Sequence, residues 1–326
     1  MRIATVTLNP ALDQTVRVDH FRPNTVNYAQ MMQFDAGGKG VNVASFLADV
    51  GLTTTVTGFL GQDNAGIFEQ FFASKHIDDQ FVRIPGRTRT GVKIVDEANQ
   101  QTTDINMPGL LPPAEAMDTL LKTIERLAAS CDWFVLSGTL PPGVPTTTYA
   151  TLITQLKAHG KQVVLDTSRD ALREGVKAGP TILKPNVDEL QQLTGQSLTD
   201  EVALEHAARQ LLDGGIQLVV ISMGERGAMF IDPATSLLAV PPIVSVKSTV
   251  GAGDAMVAGL IAGQVQGLSL PDCAGLPRPS RWGQSPVSAL GSRLPRRCRC
   301  TSTRYLYTCV AEFLVARIDF TFYTVE

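Results

Sequence analysis

"DWFVLSGTLPPGVPTTTYATLITQLKAHGKQVVLDTS" (residues 132–168) carries two short apolar runs, "DWFVLSG" (132–138) and "QVVLDTS" (162–168), around a helical stretch, "TTYATLITQLKAHG" (147–160). The runs are apolar throughout rather than alternating. Strands covered on both faces read this way, and such strands belong to parallel sheets. A strand, an amphipathic helix and a second buried strand predict a βαβ unit. The pattern repeats outward. Upstream lie "RIATVTL" (2–8) and "TTTVTGF" (53–59), and downstream "TILKPN" (181–186) and "QLVVISMG" (217–224). Helical stretches fall among them at 40–50, 113–130 and 200–215. The chain is therefore expected to form an α/β fold, doubly wound, with a mostly parallel central sheet and helices on both faces.

Two segments depart from this alternation. "LDQTVRVDHF" (12–21) with "VNYAQMMQF" (26–34), and "TRTGVKIVDEANQQTTDINMPG" (88–109), read as polar-alternating strands joined by turns, with "EANQQ" as a hairpin connection. They predict a small antiparallel β lid, over about 12–34 and 88–107, poised above a ligand crevice at the strand ends.

Composition narrows the function classes. Hydrophobic content of 44% and charged content of 18% fit an ordinary globular protein rather than a disordered one. A net charge of −3 gives no general attraction to nucleic acid or to a membrane surface. There is no apolar run of ~20 residues and no signal peptide at "MRIATVTLNPALD", so the expected location is cytoplasmic. "RRCRC" (296–300) lacks the nearby His or second Cys pair of a metal site, and none of the four histidines falls in a glycine-rich or polar motif.

Residues 274–311 differ in kind, with seven arginines and no Lys, Asp or Glu, whereas both charge signs are mixed throughout the preceding 273 residues. Prolines 277, 279, 286 and 295 interrupt any helix there. We read one domain over 1–273 and an atypical Arg/Pro-rich tail over 274–326, a non-native reading frame in preference to a basic arm.

Four motifs can carry chemistry. "DAGGKGVNVASFLADVG" (35–51) is a glycine turn opening a helix, either a plain turn or a backbone site for anionic or hydroxyl-rich ligands. "VGAGDAMVAGLIAG" (250–263) places Asp254 in a helix's first turn behind Gly251, Ala252 and Gly253. Capping alone would account for the acid but not for Gly-Ala-Gly before it. In "LKPNVDEL" (183–190), Asn186 and Glu189 share one helix face, as a helix cap or as groups that hold water around magnesium. "ISMGERGAMF" (221–230) is a strand end and glycine turn suited to a phosphate or ribose.

Together, in this order, the motifs resemble the ribokinase-like (PfkB) carbohydrate kinases, in the 1-phosphofructokinase and tagatose-6-phosphate kinase subgroup. "GGKGVNVASFLADVG…GFLG" (37–61) and "STVGAGDAMVAGLI" (248–261) look like the family's two long motifs. "TLNPALD" (7–13), "GRTRTGVKI" (86–94), "SGTLPPGV" (137–144), "DTS" (166–168), "KPNVDE" (184–189) and "SMGERGA" (222–228) resemble its shorter ones. The resemblance implies ATP- and Mg2+-dependent phosphorylation of D-fructose 1-phosphate at the 6-hydroxyl. A tagatose-6-phosphate kinase and a non-catalytic sugar-phosphate-binding relative are the alternatives. It implies Asp254 as catalytic base and Gly251, Ala252 and Gly253 as anion hole. Asp13, Gly38, Lys39, Asn42, Arg89 and Lys93 would bind the sugar phosphate. Lys184, Asn186, Ser222, Gly224, Gly227 and Thr249 would meet the nucleotide, with Glu189 organising the metal through water. It further implies a homodimer through the lid, with no nucleic-acid or membrane partner. In the family, further helices after the GAGD helix wall the adenine site. "CAGLPRPSRWGQSPVSALGSRLPRRCRC" (273–300) lacks that pattern, so weak ATP binding or poor stability is expected of the chain.

Overall fold

The computed structural model describes residues 1–240, 251–273 and 321–324. The strands are β1 (Ile3–Thr7), β2 (Ala11–Arg17), β3 (Met31–Gly37), β4 (Thr54–Gly61), β5 (Asp78–Asp79), β6 (Val82–Ile84), β7 (Thr90–Asp96), β8 (Gln101–Asn106), β9 (Trp133–Ser137), β10 (Gln162–Asp166), β11 (Ile182–Leu183), β12 (Leu218–Ser222), β13 (Ala228–Ile231), β14 (Ser236–Val240) and β15 (Thr321–Thr324). The helices are α1 (Lys39–Asp49), α2 (Ala65–Ser74), α3 (Ala114–Ala128), α4 (Thr148–Ala158), α5 (Arg169–Lys177), α6 (Val187–Thr194), α7 (Glu201–Leu212), α8 (Ala252–Val265) and α9 (Leu270–Cys273). Thr249 and most of the tail lie outside the described residues.

The main sheet runs β5-β4-β1-β9-β10-β11-β12-β13-β14-β15, with β6 also on β4. Every pairing from β5 to β12 is parallel, and β13 to β15 add an antiparallel edge. The period of two explains the layering. Val6 of β1, Leu136 of β9, Leu165 of β10 and Ile221 of β12 point into one core with α3, α4, α5, α6 and α7. Ile3, Val135, Val164 and Val220 point the other way, onto α1 and α8. Helix α8 is rich in Ala and Gly, so it can lie close against α1.

Chain order reverses between β1 and β9, because β4 lies on one side of β1 and β9 on the other. Crevices for ligands form at the carboxyl ends of strands beside such a reversal. Here those ends carry Thr7, Ser137 and Asp166, all buried and polar. Each lies on the α1/α8 face by alternation, beneath the start of α1.

The second sheet, β3-β2-β7-β8, is the predicted lid. Its β2–β3 and β7–β8 pairings are antiparallel, while β2 and β7 run parallel. The carboxylate of Asp96 accepts hydrogen bonds from His20 N (3.0 Å) and Phe21 N (2.7 Å), tying the β2–β3 connection to the end of β7.

Two expectations need adjusting at the element level. "TILKPN" keeps strand structure only at Ile182–Leu183, because Asn186 turns the chain into α6 as its N-cap. Strands β13 and β14 were not expected from the sequence. They follow the glycine turn at Gly224–Gly227 and form the antiparallel edge of the sheet.

Candidate active site

The starts of α1 and α8 meet over the ends of β1, β9 and β10, beneath the lid. Between them is a cleft of about 320 Å3 lined by Ala11, Asp13, Gly38, Lys39, Asn42, Arg89, Asp166, Lys184, Gly251, Gly253 and Asp254. Nine of these eleven were expected from the sequence. Asp166 and Ala11 were not assigned a role.

Asp254 sits in the first turn of α8, whose N-cap is Gly251. Gly251 has φ 80°, a left-handed conformation that suits glycine, which is why a side chain there would strain the turn. Ala252 is the first helical residue, between the two glycines. Asp254 is only 6% exposed. Burial, reinforced by the negative charge of Asp166, pushes its carboxyl up to about 7, against the Asn42 hydrogen bond and the charges of Lys39 and Lys184. Asn42 Nδ2 donates to Asp254 Oδ2 at 2.8 Å. The amide assigned to the sugar thus also orients the acid.

Lys39 Nζ lies 2.8 Å from Asp166 Oδ1, and Lys184 Nζ lies 3.3 Å from the same oxygen. Burial lowers the Lys39 pKa, but the charge and hydrogen bond of Asp166 outweigh it and leave it raised. The signal for Asp166 in the sequence was an acid closing a buried apolar strand, "QVVLD". Such an acid requires a partner, which only the fold could identify.

From the lid side, Asp13 enters through β2. A Cβ on Gly37 would lie 2.3 Å from Asp13 Oδ2, and one on Gly91 would lie 3.0 Å from Oδ1. The two glycines leave room for the carboxylate. Burial raises the Asp13 pKa, opposed by Lys93 and Arg89. Arg89 donates to Asn106 Oδ1 and to the Asn9 carbonyl, each at 3.3 Å. Its Nε is buried without a hydrogen-bond partner. Burial lowers its pKa. Lys93 shares the Asp13 face of the lid through its pairing with Thr15, outside the cleft lining.

The remaining predicted positions gather at neighbouring strand ends rather than in the cleft. Asn186 and Glu189 form a capping box at α6: Glu189 N donates to Asn186 Oδ1 (2.7 Å) and Asn186 N to Glu189 Oε2 (2.8 Å). Asn186 also pairs with Ser222 in a parallel bridge. Gly224 and Gly227 flank the turn between β12 and β13, both at positive φ. Among the described residues no group of three or more His, Cys, Asp or Glu could hold a metal by itself. Glu189 offers a single carboxylate beside Asn186, and Mg2+ is a cation that keeps several waters and takes one or two carboxylates plus phosphates. No helix among the described residues is long and apolar enough to cross a membrane.

Comparison with known proteins gives a consistent picture. The family described as pfkB family carbohydrate kinase matches residues 6–277. A 1-phosphofructokinase of Rhodobacter capsulatus is 46% identical over 296 residues, 90% of this chain and 93% of that protein. The crystal structure of phosphofructokinase-2 from Escherichia coli in complex with substrates and products superimposes with TM-score 0.80 at 29% identity, covering 84% of this chain and 90% of that one. The tetrameric inhibited form of the same enzyme gives 0.77, at the same identity and coverage.

Proposed function

Since the chain belongs to the pfkB family of carbohydrate kinases, we propose that it is a 1-phosphofructokinase that phosphorylates D-fructose 1-phosphate at its 6-hydroxyl. The product is fructose 1,6-bisphosphate. The observation that carries the reading is a buried carboxylate, Asp254, in a cleft that also presents Lys39, Arg89, Lys184 and the Gly251–Gly253 turn.

An alcohol is a weak nucleophile near neutral pH, and a carboxylate within hydrogen-bond reach accepts its proton as attack proceeds. Asp254 takes that proton while the 6-oxygen bonds to the terminal phosphorus of ATP and the bond to ADP breaks. The amides around Gly251–Gly253 face the transferring group, with the α8 dipole behind them. Glu189, with Asn186, would hold the water shell of a magnesium ion, which would offset the charge of the nucleotide phosphates when bound. Ser222, Gly224 and Gly227 would meet the nucleotide. Asp13 and Gly38 hold sugar hydroxyls, and Arg89, with Lys93 on the same face of the lid as Asp13, receives the substrate's own phosphate. An Arg whose Nε lacks a partner can offer its planar guanidinium to two oxygens of a phosphate.

Residues 1–273 form the catalytic unit in this proposal, with 12–34 and 88–107 as its lid. The lid's second face supports self-association. Cross-strand register puts Met32, Phe34, Val16, Ile94, Val92 and Ile105 on the face opposite Asp13. Met32 is 57% exposed, Phe34 43% and Ile105 45%, an apolar patch of the kind a partner covers. A second copy of the chain is the occupant.

An ADP-release assay across sugar phosphates, free hexoses and nucleosides tests the substrate. Fructose 1-phosphate is expected to give the highest kcat/KM. A higher value for tagatose 6-phosphate, or turnover confined to unphosphorylated acceptors, would replace the assignment.

A further inference from the structure

We propose that Asp166 is a positioning residue for this phosphoryl transfer, one carboxylate oxygen that holds Lys39 and Lys184 side by side at the cleft floor. The inference rests on the kinase reading above. It adds a residue to which neither the motifs nor that reading gives a part.

The three side chains come from separate elements: Lys39 opens α1, Asp166 ends β10, and Lys184 follows β11. The Asp166 side chain is fully buried and the Lys184 side chain only 5% exposed. A buried acid at that depth is held by its partners. Its backbone is fixed as well. Gly138 N donates to the Asp166 carbonyl at 2.9 Å, and Lys184 N donates to the Leu165 carbonyl at 3.1 Å.

Each lysine leads onward to the reacting groups. A Cβ on Gly253 would lie 3.5 Å from Lys184 Nζ, so that ammonium rests against the Gly-Ala-Gly turn. Lys39 lies one helical turn from Asn42, whose amide holds Asp254. A lysine alone is a point charge on a flexible stem. Two lysines anchored to one buried oxygen are fixed in place before the phosphoryl group arrives, which is where preorganised charge acts on rate.

The charged and polar groups facing Asp254 are Lys39 and Asn42 from α1, Asp166 from β10 and Lys184 beyond β11, with Asp13 and Arg89 across the cleft. Asp166 is the acid in this set whose repulsion raises Asp254. Neutralising it therefore moves the acid limb of kcat/KM to lower pH, a change that a role in folding alone would not produce.

The test is a double-mutant cycle on the whole chain, Asp166→Asn with Lys39→Met, read as kcat and KM for the sugar phosphate. Wild-type turnover on the same substrate checks the kinase reading separately. Asp166→Asn is expected to lower kcat by roughly a hundredfold to a thousandfold with KM nearly unchanged. The double variant is expected to be little slower than either single one, because the acid acts through the lysine. Fully multiplicative losses, or a rise in KM with kcat intact, would overturn the proposal. Recovery of the Asp166→Asn rate by added Mg2+ would assign the carboxylate to the metal and also overturn it. If Asp166→Asn does not fold, Lys39→Met against Lys184→Met carries the same test. Lysines tied to one oxygen lose less than the product of their separate losses, and independent lysines lose the full product.

Discussion

Asp254 unites two roles that pull in opposite directions. As the proposed base it must be ionised, yet burial and the nearby Asp166 favour its neutral form and raise its pKa to about 7. The chain accepts that opposition to keep the acid out of water beside the nucleophile. A stability cost follows. An acid whose folded pKa stands above its ordinary 3.8 contributes fully to stability below that value, and the contribution is lost as pH rises through about 7. The loss is of the order of 4 kcal/mol at most, from ~1.4 kcal/mol per unit. Asp254→Asn is therefore expected to melt at a higher temperature than wild type at pH 8, with a smaller difference at pH 5, measured by differential scanning fluorimetry. An equal or lower melting temperature at pH 8 would show that burial of this carboxylate is not destabilising.

The strands and helices of the main sheet could be read from the sequence because each satisfies one simple requirement. Val163, Val164 and Leu165 are apolar in succession because both faces of β10 are covered, and α3 is amphipathic because one face meets solvent. What the sequence could not supply was pairing across distance. Asp166 and Lys39 are 127 residues apart, and Asn42 and Asp254 are 212 apart. The motifs placed these residues in the same function without saying which touched which. Asn186 and Glu189 show the converse case, since their spacing suited both a cap and a metal site, and the cap is what the hydrogen bonds display. The lid offers a test at the same level. Gly37 lies in β3 at an ordinary strand position, so Gly37→Ala should fold, but its methyl would push against Asp13 Oδ2. A KM for fructose 1-phosphate raised about tenfold, with an unchanged melting temperature, is expected from the loss of a ~1.4 kcal/mol contact. An unchanged KM would remove Asp13 from sugar binding.

For the molecule as a whole, the lid is two-sided, with Asp13 facing the cleft and Phe34 facing outward. If a second copy covers the outer face, assembly and catalysis share one small sheet. Phe34→Glu should then shift the species seen by light scattering from dimer to monomer and raise KM, through a loosened lid. A monomeric wild type would dismiss the shared-lid arrangement. In the proposed mechanism the sheet, the two helix starts and the lid serve one proton transfer, and the most direct test of that step is kcat/KM against pH for wild type, with Asp254→Asn alongside. Fructose 1-phosphate turnover should fall tenfold per pH unit below about 7 in wild type. Asp254→Asn should be slower by about two to four orders of magnitude at every pH and lack that limb. A variant that turns over at the wild-type rate, or that keeps the same acid limb, would contradict Asp254 as the base.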